Sequence, residues 1–260
     1  MKKRIIFGSV YLAIFIPSLL LGGIYFTLFV YLISLLGLNE LLRVREKKTK
    51  IKPFIKFISY VLLTFLIFGN MDFTIDYRIF ASIILGLVLP VIFYKNDEYS
   101  INDAFFMIGV LSFLGVVFNL LLSVREYSLN IMIYLILIAM ITDTYAYLTG
   151  MLLGKNKLIP LISPKKTIEG LIGGTIVGVS FGVAYYMTII NSSIALFDIV
   201  LLTLFLSIIG QIGDLIMSSF KRYYGVKDFS NLLPGHGGVL DRFDSILFIL
   251  LAYTLIMNFI

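Results

Sequence analysis

Cysteine is missing from all 260 residues, and histidine occurs once. The first absence excludes a disulfide framework and any thiolate metal site, and it removes redox chemistry as a guide to compartment. The second excludes a metal centre built from several imidazoles. Charge is scarce too: 14% of residues are Asp, Glu, Lys or Arg, against 60% hydrophobic. Soluble linkers, internal repeats and low-complexity tracts are lacking, so residues 1–260 read as a single membrane domain.

What is present is a series of apolar runs of roughly 17 to 22 residues, the length a helix needs to cross a bilayer. They predict an all-α, polytopic integral membrane protein with about nine transmembrane helices, near 5–21, 22–38, 54–69, 78–94, 104–122, 130–150, 171–190, 197–218 and 243–259. Gly22 and Gly23 alone separate the first two runs, which calls for a tight helical hairpin. The opening MKKRIIFGSVYLAIFIPSLLLGG has the basic head and apolar run of a signal peptide but no small-x-small cleavage site. It is expected to be a retained first span.

Alternating loops sort the 21 Lys and Arg residues sharply. One side takes Lys2, Lys3, Arg4, the group from Arg43 to Lys56, Lys95, Lys155, Lys157, Lys165, Lys166, Lys221, Arg222, Lys227 and Arg242; the other takes Arg78 and Arg125. That asymmetry implies an odd number of spans, a cytoplasmic N-terminus and cytoplasmic 151–170 and 219–242 loops. The net charge of +6 therefore reflects topology and anionic lipid rather than nucleic acid.

Acidic residues inside apolar runs are costly, and they mark where chemistry is expected. In the eighth run Gly210, Asp214, Ser218 and Lys221 follow spacings of four, four and three, which places them on one helix face. An Asp214 to Lys221 salt link tightening helix packing is the simpler alternative. The stripe feeds into a loop that re-enters the membrane through Asp241 and Asp244, three residues apart. Asp214, Asp241 and Asp244, without Cys or clustered His, make a hard-oxygen donor set suited to Mg²⁺ rather than Zn²⁺. Mg²⁺ beside Lys and Arg points to phosphates.

The stretch SSFKRYYGVKDFSNLLPGHGGVLDRFD, Ser218 to Asp244, resembles the signature of the phosphatidate cytidylyltransferases, also called CDP-diacylglycerol synthases. DTYAYLTGMLLG, Asp143 to Gly154, and SPKKTIEG, Ser163 to Gly170, are similar to two further pieces of that family. The resemblance covers the C-terminal half, 131–260, as catalytic spans and loops; residues 1–130 match in hydropathy and span count only. It implies a cell-membrane enzyme that joins CTP and phosphatidate to give CDP-diacylglycerol and pyrophosphate, requires Mg²⁺, takes K⁺ as a candidate second ion, and forms a homodimer. It places Asp214, Asp241 and Asp244 at the metal, and Ser218, Lys221 and Lys166 in the polar pocket around it.

Two loops are expected to receive phosphate. Ser163 and Pro164 read as N-cap and first residue of the seventh helix, which would put Lys165 and Lys166 in its first turn beside free N–H groups. Lysine there opposes the helix dipole, so a bound anion is the reason to expect it. Gly235, Gly237 and Gly238 permit a turn whose N–H groups approach a phosphate, with Arg222, Lys227 and Arg242 as further anion contacts. His236 is expected to fix that loop or touch phosphate. A general base is not required, because a phosphate monoester with a second pKa of about 6 is already ionised at neutral pH.

Glu169 is a candidate acceptor from a lysine or a nucleotide hydroxyl. Asp143 stands between a packing hydrogen bond and a place at the pocket, and Asn119 reads as a satisfied interhelical amide. Related readings are transfer to another lipid phosphate or CTP-dependent phosphorylation of a polyprenol. A proton- or ion-coupled transporter is a more distant one, because no comparable polar residues continue outward along these spans.

Overall fold

The computed structural model describes residues 2–69, 77–95, 98–232 and 237–256, with side chains from Gly8 onward except residue 11. Among these residues nine α-helices follow in chain order. They are α1 (Lys2–Leu21), α2 (Gly23–Arg45), α3 (Pro53–Gly69), α4 (Tyr77–Val88), α5 (Ile101–Tyr127), α6 (Leu129–Leu153), α7 (Ile168–Tyr185), α8 (Leu196–Tyr223) and α9 (Leu240–Ile256). A 3₁₀ turn, Leu89–Ile92, extends α4, and a π turn, Tyr186–Ile190, extends α7.

The chain is an all-α membrane protein. Among the described residues five helices are long and apolar enough to cross a bilayer: α2, α5, α6, α7 with its extension, and α8. The apolar stretches of α1, α3 and α4 are shorter, so length and composition alone do not reach nine spans. Large apolar side chains face outward at helical spacing, including Ile172 and Ile176 on α7 and Ile208, Ile212 and Ile216 on α8. That arrangement is stable only against lipid.

Two compact units share the chain, one formed by 1–126 with 228–242 and the other by 127–227 with 243–260. In the first unit, ion pairs gather at one end of the helices. Arg45 at the end of α2 pairs with Asp103 at the start of α5, Lys56 with Glu46 at 2.6 Å, and Lys52 with Glu98 at 2.8 Å. At the end of α5, Arg125 donates to the Leu19 and Leu20 carbonyls at 2.6 and 3.0 Å. These are C-terminal carbonyls of α1 that the helix itself leaves unpaired. Gly22 and Gly23, at φ of 67° and 48°, make the hairpin there. α2 and α5 therefore run in opposite directions between two polar ends. Asn119 donates to the Ile67 carbonyl at 2.9 Å, as expected of an interhelical amide.

In the second unit α6 and α7 meet through glycines. Gly170, Gly174, Gly178 and Gly182 recur every fourth residue, and a Cβ on Gly174 would lie 2.6 Å from the Thr142 carbonyl oxygen and 2.7 Å from the Ala146 Cβ. Backbone-to-backbone approach of this kind gives apolar helices dispersion contact that lipid cannot match. Hydroxyl and amide pairs join the helices further: Tyr134 with Thr203 at 2.8 Å, Thr142 with Ser207 at 3.0 Å, and Gln211 with Thr175 at 2.8 Å.

One expectation is corrected in this unit. Ser163 and Pro164 do not begin the seventh helix. They belong to β2 (Ser163–Thr167), which pairs antiparallel with β1 (Lys157–Ile159). The helix begins after Thr167, whose hydroxyl accepts from Gly170 N at 3.1 Å. A capping threonine three residues ahead of that N–H, with Glu169 rather than lysine in the first turn, suits the dipole that Lys165 and Lys166 would oppose.

Candidate active site

The strand changes what the two lysines do. Successive side chains of a strand leave on opposite faces, so Lys165 is exposed while Lys166 turns inward. Lys166 Nζ lies 2.7 Å from Asp214 Oδ2 on α8. Thus Lys166 is an ion-pair partner of Asp214, a pairing that the sequence reading considered only for Lys221. The hairpin itself is held by Glu169, which accepts from Asn156 N and Nδ2 at 3.1 and 2.8 Å, and by Arg222, which donates to the Ile162 carbonyl at 3.2 Å.

On α8 the expected polar face is present: Ser218 Oγ donates to Asp214 Oδ1 at 3.3 Å, and Lys221 is buried one turn on. The stripe continues outward through Gln211, Ser207 and Thr203, further than the sequence reading placed it. These outer groups are uncharged and paired with Thr175, Thr142 and Tyr134. The helix ends on Gly225 at φ 66°, with Val226 N bonding back to the Lys221 carbonyl at 2.9 Å, a glycine-terminated C-cap.

From α9, Asp244 faces Asp214, Asp143 and Lys221 within electrostatic reach, and its carboxylate accepts from Ser245 N at 3.1 Å. Ser245 Oγ in turn donates to Asp143 Oδ2 on α6 at 2.7 Å. Asp143 also faces Asp214 and Lys166. The second unit therefore gathers three carboxylates, Asp143, Asp214 and Asp244, with two cations, Lys166 and Lys221, and two hydroxyls, Ser218 and Ser245. Gly210 and Gly213 let α9 come close to α8, since a Cβ on Gly210 would lie 2.8 Å from Ile249 Cδ1.

The donor set is all oxygen and suits a hard cation such as Mg²⁺. Among the described residues, no three carboxylate or imidazole groups are drawn close enough to ligate one, and one Asp214 oxygen is engaged by Lys166. Such a cluster in an apolar bundle provides mobile countercharges, two ammonium groups and three carboxylates, for a polyanion and its cation. Lys227 is exposed, and Arg222 serves the hairpin.

Gly237, Gly238, Asp241 and Arg242 belong to the first unit. Gly237 takes φ 84°, as a turn at that point requires. Of the glycine N–H groups expected to meet phosphate, that of Gly238 donates to Asp241 Oδ2 at 2.8 Å; the next two, Val239 N and Leu240 N, donate to Glu40 at 2.8 and 3.0 Å. Asp241 Oδ2 also accepts from Phe229 N at 2.9 Å. His236 and Gly235 lie outside the described residues. Glu40 has no distinguishing pattern around it in the sequence; its part is visible only where residues some 200 positions apart meet.

Comparison with known proteins shows the family of the chain. The model of the cytidylyltransferase family matches residues 2–260. The phosphatidate cytidylyltransferase of Staphylococcus haemolyticus is 37% identical over 251 residues, 96% of each chain. Those of Staphylococcus epidermidis and Staphylococcus aureus are each 36% identical, over 251 and 253 residues, again 96% of each chain. Match and alignment run through the N-terminal half as well as the signature. The chain belongs to the cytidylyltransferase family.

Proposed function

We propose that the protein is a membrane nucleotidyltransferase that forms CDP-diacylglycerol and pyrophosphate from CTP and phosphatidate, as the names of its relatives indicate for them. The observation that carries this reading is the set of Lys166 and Lys221 among Asp143, Asp214 and Asp244 inside an apolar bundle. A phosphate oxygen of the lipid attacks the α-phosphorus of CTP, a new P–O bond forms, and the bond from that phosphorus to the bridging oxygen breaks to release pyrophosphate. The lipid phosphate is already ionised, so positioning and charge neutralisation suffice.

Asp214 and Asp244 would hold Mg²⁺, with Asp143 beside them and Asp241 three residues before Asp244 on α9. Bound there, the ion supplies countercharge to the triphosphate. Lys166 exchanges its Asp214 partner for a phosphate oxygen, and Lys221, two turns along the same face of α8, balances charge beside it. Ser218 keeps Asp214 oriented. Lys165 and Lys227, and Arg242 in the first unit, add positive charge that attracts the anionic substrates.

Nine spans, a cytoplasmic N-terminus and a cell-membrane location belong to the same proposal. They are supported by the opposite directions of α2 and α5 and by the clustering of ion pairs at the basic end. K⁺ as a second ion and a homodimer rest on the family resemblance alone.

The test uses purified protein with Mg²⁺ and CTP labelled at either the α- or the γ-phosphorus, offered with phosphatidate, an ether-linked lipid phosphate and a polyprenol. Label from the α position in a phosphatidate product, with none from the γ position, supports the reading. Label from the γ position in the polyprenol replaces it with a CTP-dependent kinase.

A further inference from the structure

We propose that Glu40 is a positioning residue: its carboxylate builds the glycine turn before α9 and so fixes the first turn of that helix, Asp241 included. The inference rests on the proposed cytidylyltransfer for its consequence in catalysis, but its geometry stands independently.

Glu40 lies one turn before the end of α2 and is only 3% exposed. A carboxylate so placed must be well solvated by the protein. One oxygen accepts from Ser230 Oγ at 2.6 Å and from Val239 N at 2.8 Å, and the other accepts from Leu240 N at 3.0 Å. Val239 and Leu240 carry N–H groups that the helix cannot pair within itself at its N-terminus, where the dipole also favours a negative charge. Glu40 thus acts as an N-terminal anion for α9, delivered from a different helix.

The fit is specific on both sides. A Cβ on Gly238 would lie 2.6 Å from the Glu40 carboxyl carbon, so the backbone reaches this carboxylate only as glycine. Three residues before Glu40, Gly37 leaves room for Leu240, whose Cδ2 would stand 3.0 Å from a Cβ there. Gly37 and Glu40 share a face of α2 and form one slot, which takes the Leu240 side chain and the Leu240 N–H together. Asp241 is the next residue, and its Oδ2 closes the turn through Gly238 N and Phe229 N. Removing the Glu40 charge leaves two inward-pointing N–H groups under-satisfied, and the turn opens locally before the fold fails.

The experiment exploits the absence of cysteine. Val239→Cys and, separately, Ala139→Cys, both at buried positions, are introduced into otherwise unchanged protein and into Glu40→Gln and Gly238→Ala backgrounds. Maleimide labelling in detergent and kcat/KM for CTP and phosphatidate are measured. Labelling at position 239 should accelerate by more than about tenfold in both backgrounds while position 139 stays protected, and kcat should fall by about tenfold or more. Unchanged labelling at 239, equal acceleration at both positions, or faster labelling at 239 with unaltered turnover would each overturn the proposal. If the unsubstituted protein forms no CDP-diacylglycerol, the functional reading fails instead, and the labelling result still decides whether Glu40 holds the turn.

Discussion

Replacing Lys166 with alanine separates a substrate-binding cation from a structural one. Its Nζ is 2.7 Å from Asp214 Oδ2, and the two side chains are 27% and 24% exposed. A pair this accessible to solvent contributes about 1 kcal/mol or less to folding. At the size of this chain that corresponds to a melting shift of about 2–4 °C. If Lys166 leaves Asp214 for a phosphate oxygen as charge develops on the leaving pyrophosphate, its loss removes a transition-state countercharge. Groups of that kind account for about 10²- to 10³-fold in rate. Lys166→Ala should therefore unfold within a few degrees of the unsubstituted protein while kcat/KM for CTP falls by that larger factor. Lys166→Arg retains charge with a different fork geometry and should fall between. The assay is transfer of α-labelled CTP into lipid in detergent micelles, alongside thermal unfolding of the same samples. Turnover within about twofold of the unsubstituted protein for both CTP and phosphatidate would refute the exchange and reduce Lys166 to a hairpin anchor.

Three further outcomes follow from the geometry. Gly174→Ala places a methyl group against the Thr142 carbonyl and Ala146, so thermal unfolding in detergent should show a loss of about 1–3 kcal/mol through overpacking of α6 on α7. Arg125→Ala removes two hydrogen bonds from a guanidinium to the end of α1; stability should drop by about 1–3 kcal/mol with turnover per folded molecule unchanged, as read by unfolding and activity together. Lys227→Cys, exposed after α8, should react with an impermeant maleimide only once the membrane is opened, and reaction from outside intact cells would reverse the orientation.

How far the fold could be read from the sequence depended on the length of the signal. Apolar runs long enough to cross a bilayer locate the helices, and Gly22 with Gly23 mark the hairpin, because these patterns need only local chemistry. The polar face of α8 was legible for the same reason: Asp214, Ser218 and Lys221 repeat at helical spacing. The β1–β2 hairpin was not. Strands of three and five residues are too short for a periodic pattern, and Ser163-Pro164 imitates a helix start until Thr167 takes the cap. The roles of Asp143, which the sequence left between two readings, and of Glu40, which it did not mark at all, were hidden differently. Their partners, Ser245 and the 238–240 turn, lie more than 100 and nearly 200 residues away in the chain. The reading that gave the glycine turn to a phosphate counted on its N–H groups, and one of them, Gly238 N, is held by Asp241, a partner that the sequence alone did not suggest.

The central claim is that the carboxylates between α6, α8 and α9 act through their charge. Asp214→Asn and Asp244→Asn keep the size of each side chain and remove the charge a hard cation needs. Neutralising an intramembrane acid lowers its desolvation cost, so a packing role would leave both variants folded and active, or stabilised. The measurement is CDP-diacylglycerol formation against Mg²⁺ concentration for each variant, with thermal unfolding confirming that the protein is folded. The expected result is folded, membrane-inserted protein that has lost most of its turnover, with excess Mg²⁺ restoring only part of it. Folded variants that both keep near-normal turnover at low Mg²⁺ would contradict it.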